Sequence, residues 1–130
     1  MTIDVETVCT DAELADECGG PVELARLIPK GTANASTQRA AALRDTLKSL
    51  RLRRPPINEG DLSDVTELRD AVTFGALERL YLLAMTTKDS VFGVKHEKYQ
   101  KRFAAELASL SPTVGGSASG GGGSITIERR

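Results

Sequence analysis

The chain has no tryptophan, and its three phenylalanines and two tyrosines make up 4% of 130 residues. Aromatics this sparse argue against a base-stacking surface or an aromatic sugar cleft. Neither sign of charge dominates: 17 basic residues against 18 acidic ones leave a net charge of −1. No overall field therefore exists to hold a polyanion or an anionic membrane. No apolar run approaches the roughly 18 residues of a membrane span. The start, Met1-Thr2-Ile3-Asp4-Val5-Glu6, carries acids where a secretory signal needs Lys or Arg before an apolar run. The expected setting is a cytoplasm, or release from one by lysis. Cysteine is scarce too. Cys9 and Cys18 flank a helical segment, and their nine-residue separation at about 1.5 Å per residue puts their backbones roughly 13 Å apart, beyond disulfide reach. With only His96 to join them they fall short of a four-ligand zinc site, so small buried thiols are the favoured reading, with no metal and no cofactor.

What is present suits one compact domain with an aliphatic and alanine core, since 40% of residues are apolar and 27% charged. Thr10-Asp11-Ala12-Glu13 has the form of a capping box, predicting a short helix to about Glu17 that Gly19-Gly20 stops. Pro21 then favours a second short helix to Ile28, buried through Val22, Leu24, Leu27 and Ile28. From about Thr37 to Arg53, Ala40, Leu43, Leu47 and Leu50 fall on one helical stripe, with Arg39, Arg44, Lys48 and Arg51 mostly off it. Arg54-Pro55-Pro56 forces an extended turn.

Ser63 or Asp64 caps a long helix to about Met85, with Val65, Leu68, Val72, Ala76, Leu80 and Leu83 on one stripe and Phe74, Leu77 and Tyr81 widening it. So broad an apolar surface implies a central helix packed on more than one side. Gly75, midway along, costs about 1 kcal/mol relative to Ala in a helix and points to another backbone approaching closely. Phe92, Tyr99, Phe103, Leu107 and Leu110 mark a last amphipathic helix over about Val91 to Leu110.

The fold class expected is all-α: a small helical bundle of two short N-terminal helices and three longer ones, followed by a Gly-rich linker and a C-terminal β-strand arm. The divisions are 1–112 for the helical domain, 113–124 for the Gly/Ser linker and 125–130 for the arm. Ile125, Thr126 and Ile127 are β-branched and favour an extended strand, with no other convincing strand in the chain to pair with. Ten linker residues span about 17 Å root-mean-square and at most roughly 33 to 36 Å, enough to reach an adjacent subunit. A disordered tail or an engineered Gly/Ser scar is the plainer alternative.

Chemistry is hard to place. His96, the single histidine, borders the apolar face of the last helix and reads as structural; no Ser or Cys has the local signature of a nucleophile. Asp61, Asp64, Glu67 and Asp70 coincide with a helix start, where they complement its dipole. The tail glycines lack the Lys-Ser/Thr ending of a phosphate-binding loop. No catalytic residue emerges, and the expectation is that the chain is not an enzyme. Arg51, Arg53 and Arg54 form the one dense basic patch, a possible DNA or subunit contact. Charge alternates along the chain: two basic against seven acidic residues in 1–30, six against one in 31–57, three against seven in 58–90, six against three in 91–130. Such alternation suits neighbouring segments, or neighbouring copies, meeting with opposite sign.

Three stretches carry a resemblance: Val8-Cys9-Thr10-Asp11-Ala12-Glu13-Leu14; Leu68-Arg69-Asp70-Ala71-Val72-Thr73-Phe74-Gly75-Ala76-Leu77-Glu78-Arg79-Leu80; and Asp89-Ser90-Val91-Phe92-Gly93-Val94-Lys95 leading into Lys98-Tyr99-Gln100-Lys101-Arg102-Phe103-Ala104-Ala105-Glu106-Leu107. In order and spacing the chain, over about Val8 to Leu110, resembles the head–tail connector (adaptor) proteins of long-tailed bacteriophages and gene transfer agents. The resemblance implies a viral structural protein: a homo-oligomeric ring, typically dodecameric, joining the portal protein to a head–tail stopper or tail-completion protein in virion assembly. Double-stranded DNA would pass through its lumen. The expected place is the head–tail interface of the virion, after assembly in the host cytoplasm, with no membrane partner. Many members send a C-terminal arm onto the portal, which assigns portal binding to Ser124, Ile125, Thr126, Ile127, Glu128, Arg129 and Arg130. The alternative is a small helical DNA-binding regulator using Arg39 to Arg54. A small enzyme centred on His96 is a third reading.

Overall fold

A computed structural model describes residues 3–85 and 90–114. It contains six α-helices among the described residues: α1 (Val5–Val8), α2 (Asp11–Cys18), α3 (Pro21–Leu27), α4 (Ser36–Arg51), α5 (Arg69–Ala84) and α6 (Val91–Ser109). Two 3-10 turns, Glu59–Asp61 and Val65–Leu68, lie between α4 and α5. No strand is present among the described residues, whose only β pairing is an isolated antiparallel bridge between Leu62 and Val114. The expected C-terminal strand arm, 125–130, lies outside them.

Local chemistry sets the helix ends. The Thr10 N–H and hydroxyl both donate to Glu13 Oε1 at 2.8 Å, starting α2. Gly19 and Gly20 take φ of +118° and +132°, open to glycine, and both donate their N–H to the Ala15 carbonyl to close that helix. Pro21 occupies the first turn of α3. Asp64 accepts the Thr66 N–H at 3.0 Å, and the Ser90 hydroxyl accepts the Gly93 N–H at 3.0 Å at the start of α6.

Helix α5 sits at the centre, packed against α4 and α6 and touching α2 and α3. Its Ala71, Val72, Ala76, Leu77, Leu80 and Tyr81 are buried, as is Leu68 just before it. On one side they meet Ala42, Leu43, Leu47 and Leu50 of α4; on another, Tyr99, Phe103 and Leu107 of α6; Val8, Cys9 and Leu14 complete the core. Removing a side chain such as Leu77 costs about 2–5 kcal/mol by the usual range for buried leucines.

Several expectations need correction. The long helix does not begin at Ser63 or Asp64: residues Val65–Leu68 form a 3-10 turn, and α-helix starts at Arg69. Val22 and Leu83, assigned to apolar stripes, are 77% and 62% exposed, and Ala40 is exposed while Ala42 takes the buried place on α4. Gly75 is crowded by side chains rather than backbone: a Cβ there would lie 2.9 Å from Ala42 Cβ and 2.9 Å from Phe103 Cε1. Arg39, read as lying off the apolar stripe, is 2% exposed.

Candidate functional site

The buried Arg39 shows how this chain uses its charges. Its Nη1 donates to Glu6 Oε2 at 2.7 Å and to the Cys9 carbonyl at 2.9 Å, and its Nε lies 2.8 Å from Asp11 Oδ1. That last N–H is not aimed at its neighbour, so the contact is ionic rather than a hydrogen bond. A guanidinium can be held inside only when paired and hydrogen-bonded in this way. It ties α4 to α1 and the start of α2. On the other flank of the core, the Tyr81 hydroxyl donates to Glu23 Oε2 at 3.1 Å, with Lys95 Nζ 3.5 Å from the same oxygen. Similarly, the Tyr99 hydroxyl donates to Glu17 Oε2 at 3.3 Å, where Arg102 Nη1 arrives at 3.2 Å. The two tyrosine rings stack at 5.7 Å and 7°, with Phe74 and Phe92 extending the column. Lys98 Nζ sits 5.1 Å from the Tyr99 ring centre and the Arg26 guanidinium 5.8 Å from that of Phe92.

Burial pushes the Cys9 thiol up, against a partly offsetting hydrogen bond with Thr73 Oγ1 at 3.3 Å; burial likewise raises Cys18. Both are free and buried, as their sequence context suggested. Neither thiol has the depressed pKa of a nucleophile. Burial, then the Glu17 carboxylate, pushes Tyr99 up to about 12; Tyr81 is raised by burial and by Glu23. His96, half-buried, pairs through Nε2 with Glu78 Oε2 at 2.8 Å. No group of three or more metal-ligating side chains occurs among the described residues.

The three basic residues singled out from sequence do not act as one patch. Arg51 and Arg54 are exposed. Arg53 turns inward, its Nη2 donating to the Leu107 carbonyl at 2.7 Å near the end of α6. The portal-arm residues Ser124 to Arg130 lie outside the described residues. Near the end of the described chain, the Thr113 N–H and hydroxyl donate to the two Glu67 carboxylate oxygens at 2.7 and 2.8 Å. The Ser63 N–H and hydroxyl return to the Thr113 carbonyl at 3.1 and 3.0 Å. Nothing in the local sequence announces this clamp, because its halves are 46 to 50 positions apart.

No family model, curated protein or solved structure matches this chain. The geometry itself must then say how the three resembling stretches relate. The first meets the second where Arg69 Nε donates to the Val8 carbonyl at 2.9 Å and where Cys9 reaches Thr73. The second meets the third where Gly75 faces Phe103 and where Phe74 stacks on Tyr99. They form one continuous packing unit.

The charge alternation is met in part within the chain: acids of 1–30 pair with Arg39, Lys95 and Arg102. Asp45 of α4 pairs with Arg79 of α5, each the minority sign of its own segment. What is left unpaired among the described residues is a smaller and better-defined set, including Arg44, Lys48, Arg51 and Arg54.

Proposed function

We propose that this chain is a structural adaptor subunit of a tailed phage or gene transfer agent, forming a ring that joins the portal to a stopper or tail-completion protein and lets DNA pass. The observation that carries the reading is the mutual packing around α5 of the three resembling stretches, Val8–Leu14, Leu68–Leu80 and, of the stretch from Asp89 to Leu107, its described part from Ser90. The residues that carry the resemblance thus also build this chain's core, which is what the reading requires of them. The inward use of Arg39, Glu17, Glu23 and His96 adds to this: polar side chains serve to fasten helices, which suits a part whose work is done by its surfaces. The arm, Ser124 to Arg130, is assigned to the portal, and the described chain before it is held at Thr113 by Glu67.

Mass measurement of the purified protein, alone and mixed with portal, tests the reading. A ring-sized assembly on the portal is expected. A monomer that binds neither portal nor tail-completion protein at micromolar concentration overturns it. Deleting 124–130 should leave the melting temperature unchanged and weaken portal capture; unfolding on deletion would mean that the arm pairs inside its own subunit.

The DNA-binding regulator remains the alternative, and one observation favours it: the outward face of α4 bears Arg44, Lys48 and Arg51, with Arg54 just beyond. It loses Arg39 and Arg53, both held by the protein. Four phosphate contacts would give a salt slope of about −3.6, a loss of roughly 150-fold in affinity between 50 and 200 mM salt. A duplex probe that shows no such slope removes it.

A further inference from the structure

The ion pairs of this chain leave two stripes of charge over. Arg44, Lys48 and Arg51 stand at steps of four and three on α4, so they share one exposed face, and Arg54, also exposed, follows just beyond the helix. None of the four forms an ion pair among the described residues, although other lysines and arginines on α3, α4, α5 and α6 do. Asp64, Glu67 and Asp70 stand at steps of three and are exposed. Asp64 is the extended N-cap of the 3-10 turn Val65–Leu68, Glu67 lies within that turn and Asp70 in the first turn of α5; residues three apart on such turns are neighbours, so these carboxylates lie near one another as well. Asp64 caps its own turn and Glu67 holds Thr113, but neither they nor Asp70 pairs with a cation among the described residues.

The stripes match in length. The seven steps from Arg44 to Arg51 rise about 10 Å. The six steps from Asp64 to Asp70 rise about 9 to 12 Å, depending on the share of 3-10 geometry. They are opposite in sign, without ion pairs among the described residues, and similar in length. We infer that they meet between molecules: the α4 stripe of one copy docks on the Asp64–Glu67–Asp70 stripe of the next. Such a contact joins different patches, so it propagates head to tail and closes into a ring when the rotation allows. Leu52, 70% exposed beside Arg51, distinguishes this partner from a phosphate backbone, because an apolar side chain among the cations gains from a protein surface and not from phosphates. The inference rests on the adaptor reading for its use in a ring; the contact itself can be tested without it.

The experiment is a charge swap followed by sedimentation velocity without portal. One variant carries Arg44→Glu, Lys48→Glu and Arg51→Glu; the other carries Glu67→Lys and Asp70→Lys, leaving the Asp64 cap in place. Wild type should self-associate at high micromolar concentration and weaken as salt approaches about 1 M, where the Debye length is about 3 Å. Each variant alone should associate at least about tenfold more weakly, and an equimolar mixture should recover, because each reversed stripe then finds a complementary one. Recovery on mixing is the internal control for folding, since two misfolded chains cannot rescue one another. A wild type that stays monomeric, variants that associate as wild type does, or folded variants that fail to recover on mixing all overturn the contact. So does loss of duplex binding by the α4 variant with self-association untouched, which would assign the stripe to nucleic acid. Portal capture by the same variants is read separately: charge-reversed monomers that still bind portal keep the adaptor reading standing without the contact, and self-association without portal capture does the reverse.

Discussion

Replacing Arg39 with alanine should be among the most damaging single changes in this protein. The side chain is 2% exposed and makes three polar contacts, to Glu6, Asp11 and the Cys9 carbonyl. Breaking a buried pair by removing one partner costs about 3–5 kcal/mol when the remaining charge stays buried. Here the abandoned carboxylates can reach water, Glu6 being 53% and Asp11 30% exposed, which brings the figure to the lower end. The lost packing of the aliphatic stem and an unsatisfied Cys9 carbonyl push the other way. The sum is about 3 kcal/mol, and for a domain of this size that shifts the melting temperature by roughly 10 to 15 °C. Glu6→Gln, which keeps the shape and removes one half-exposed charge, should cost about 1 kcal/mol or less. Circular dichroism melts and urea titrations of both variants check the pair. If Arg39→Ala moves the melting temperature no further than Glu6→Gln does, the guanidinium is not the fastener between α1, α2 and α4.

Gly75→Ala, stabilising in most helices, should destabilise here by about 1–3 kcal/mol, because the new methyl meets Ala42 Cβ at 2.9 Å. Ala42→Gly should recover part of that loss in a double-mutant cycle, and additive effects would refute the clash. Thr10→Ala should cost about 1 kcal/mol through the start of α2. The same motif holds the Glu13 carboxyl below its usual range, first by the Thr10 N–H and then by its hydroxyl, so its contribution is present above pH 4.5 and fades as the pH falls. Melts of Thr10→Ala should therefore show a shallower decline on acidification than wild type. At the alkaline end the sign reverses: Tyr99, raised to about 12, and Tyr81, raised also, hold their protons in the folded state after the unfolded chain releases them near pH 10. Stability should fall as the pH climbs from 10 toward 12, and Tyr99→Phe should flatten that fall in pH-dependent melts.

Much of this fold is readable one helix at a time. The short helices after Thr10 and Pro21 and the long ones at Ser36–Arg51 and Val91–Ser109 lie within a residue or two of their caps and apolar periods, because those signals are local. What escapes the reading is non-local. Helix α1 has four residues, too few for periodicity, and exists because Val8 and Cys9 are covered by the rest of the chain. Arg39 looks like a surface residue until Glu6, Asp11 and a backbone carbonyl arrive from 28 to 33 positions away. Val22 and Leu83 sit at apolar positions of their helices, yet no neighbour covers them. As for the candidate surfaces, the density of Arg51 to Arg54 is visible in the sequence, but the inward turn of Arg53 and the passage of Asp64, Glu67 and Asp70 from a cap through a 3-10 turn into α5 depend on tertiary contacts and local pitch.

The stacked tyrosines have a practical corollary. Lacking indole, the chain owes its phenol emission to Tyr81 and Tyr99 alone, which are 5.7 Å apart, each with its hydroxyl bonded to a carboxylate. A phenol held against such an acceptor loses excited-state energy without radiating, so the native protein should be dim and the denatured chain bright. Detachment of α2 and α3 from the rest of the bundle would thus announce itself as light, with no dye attached.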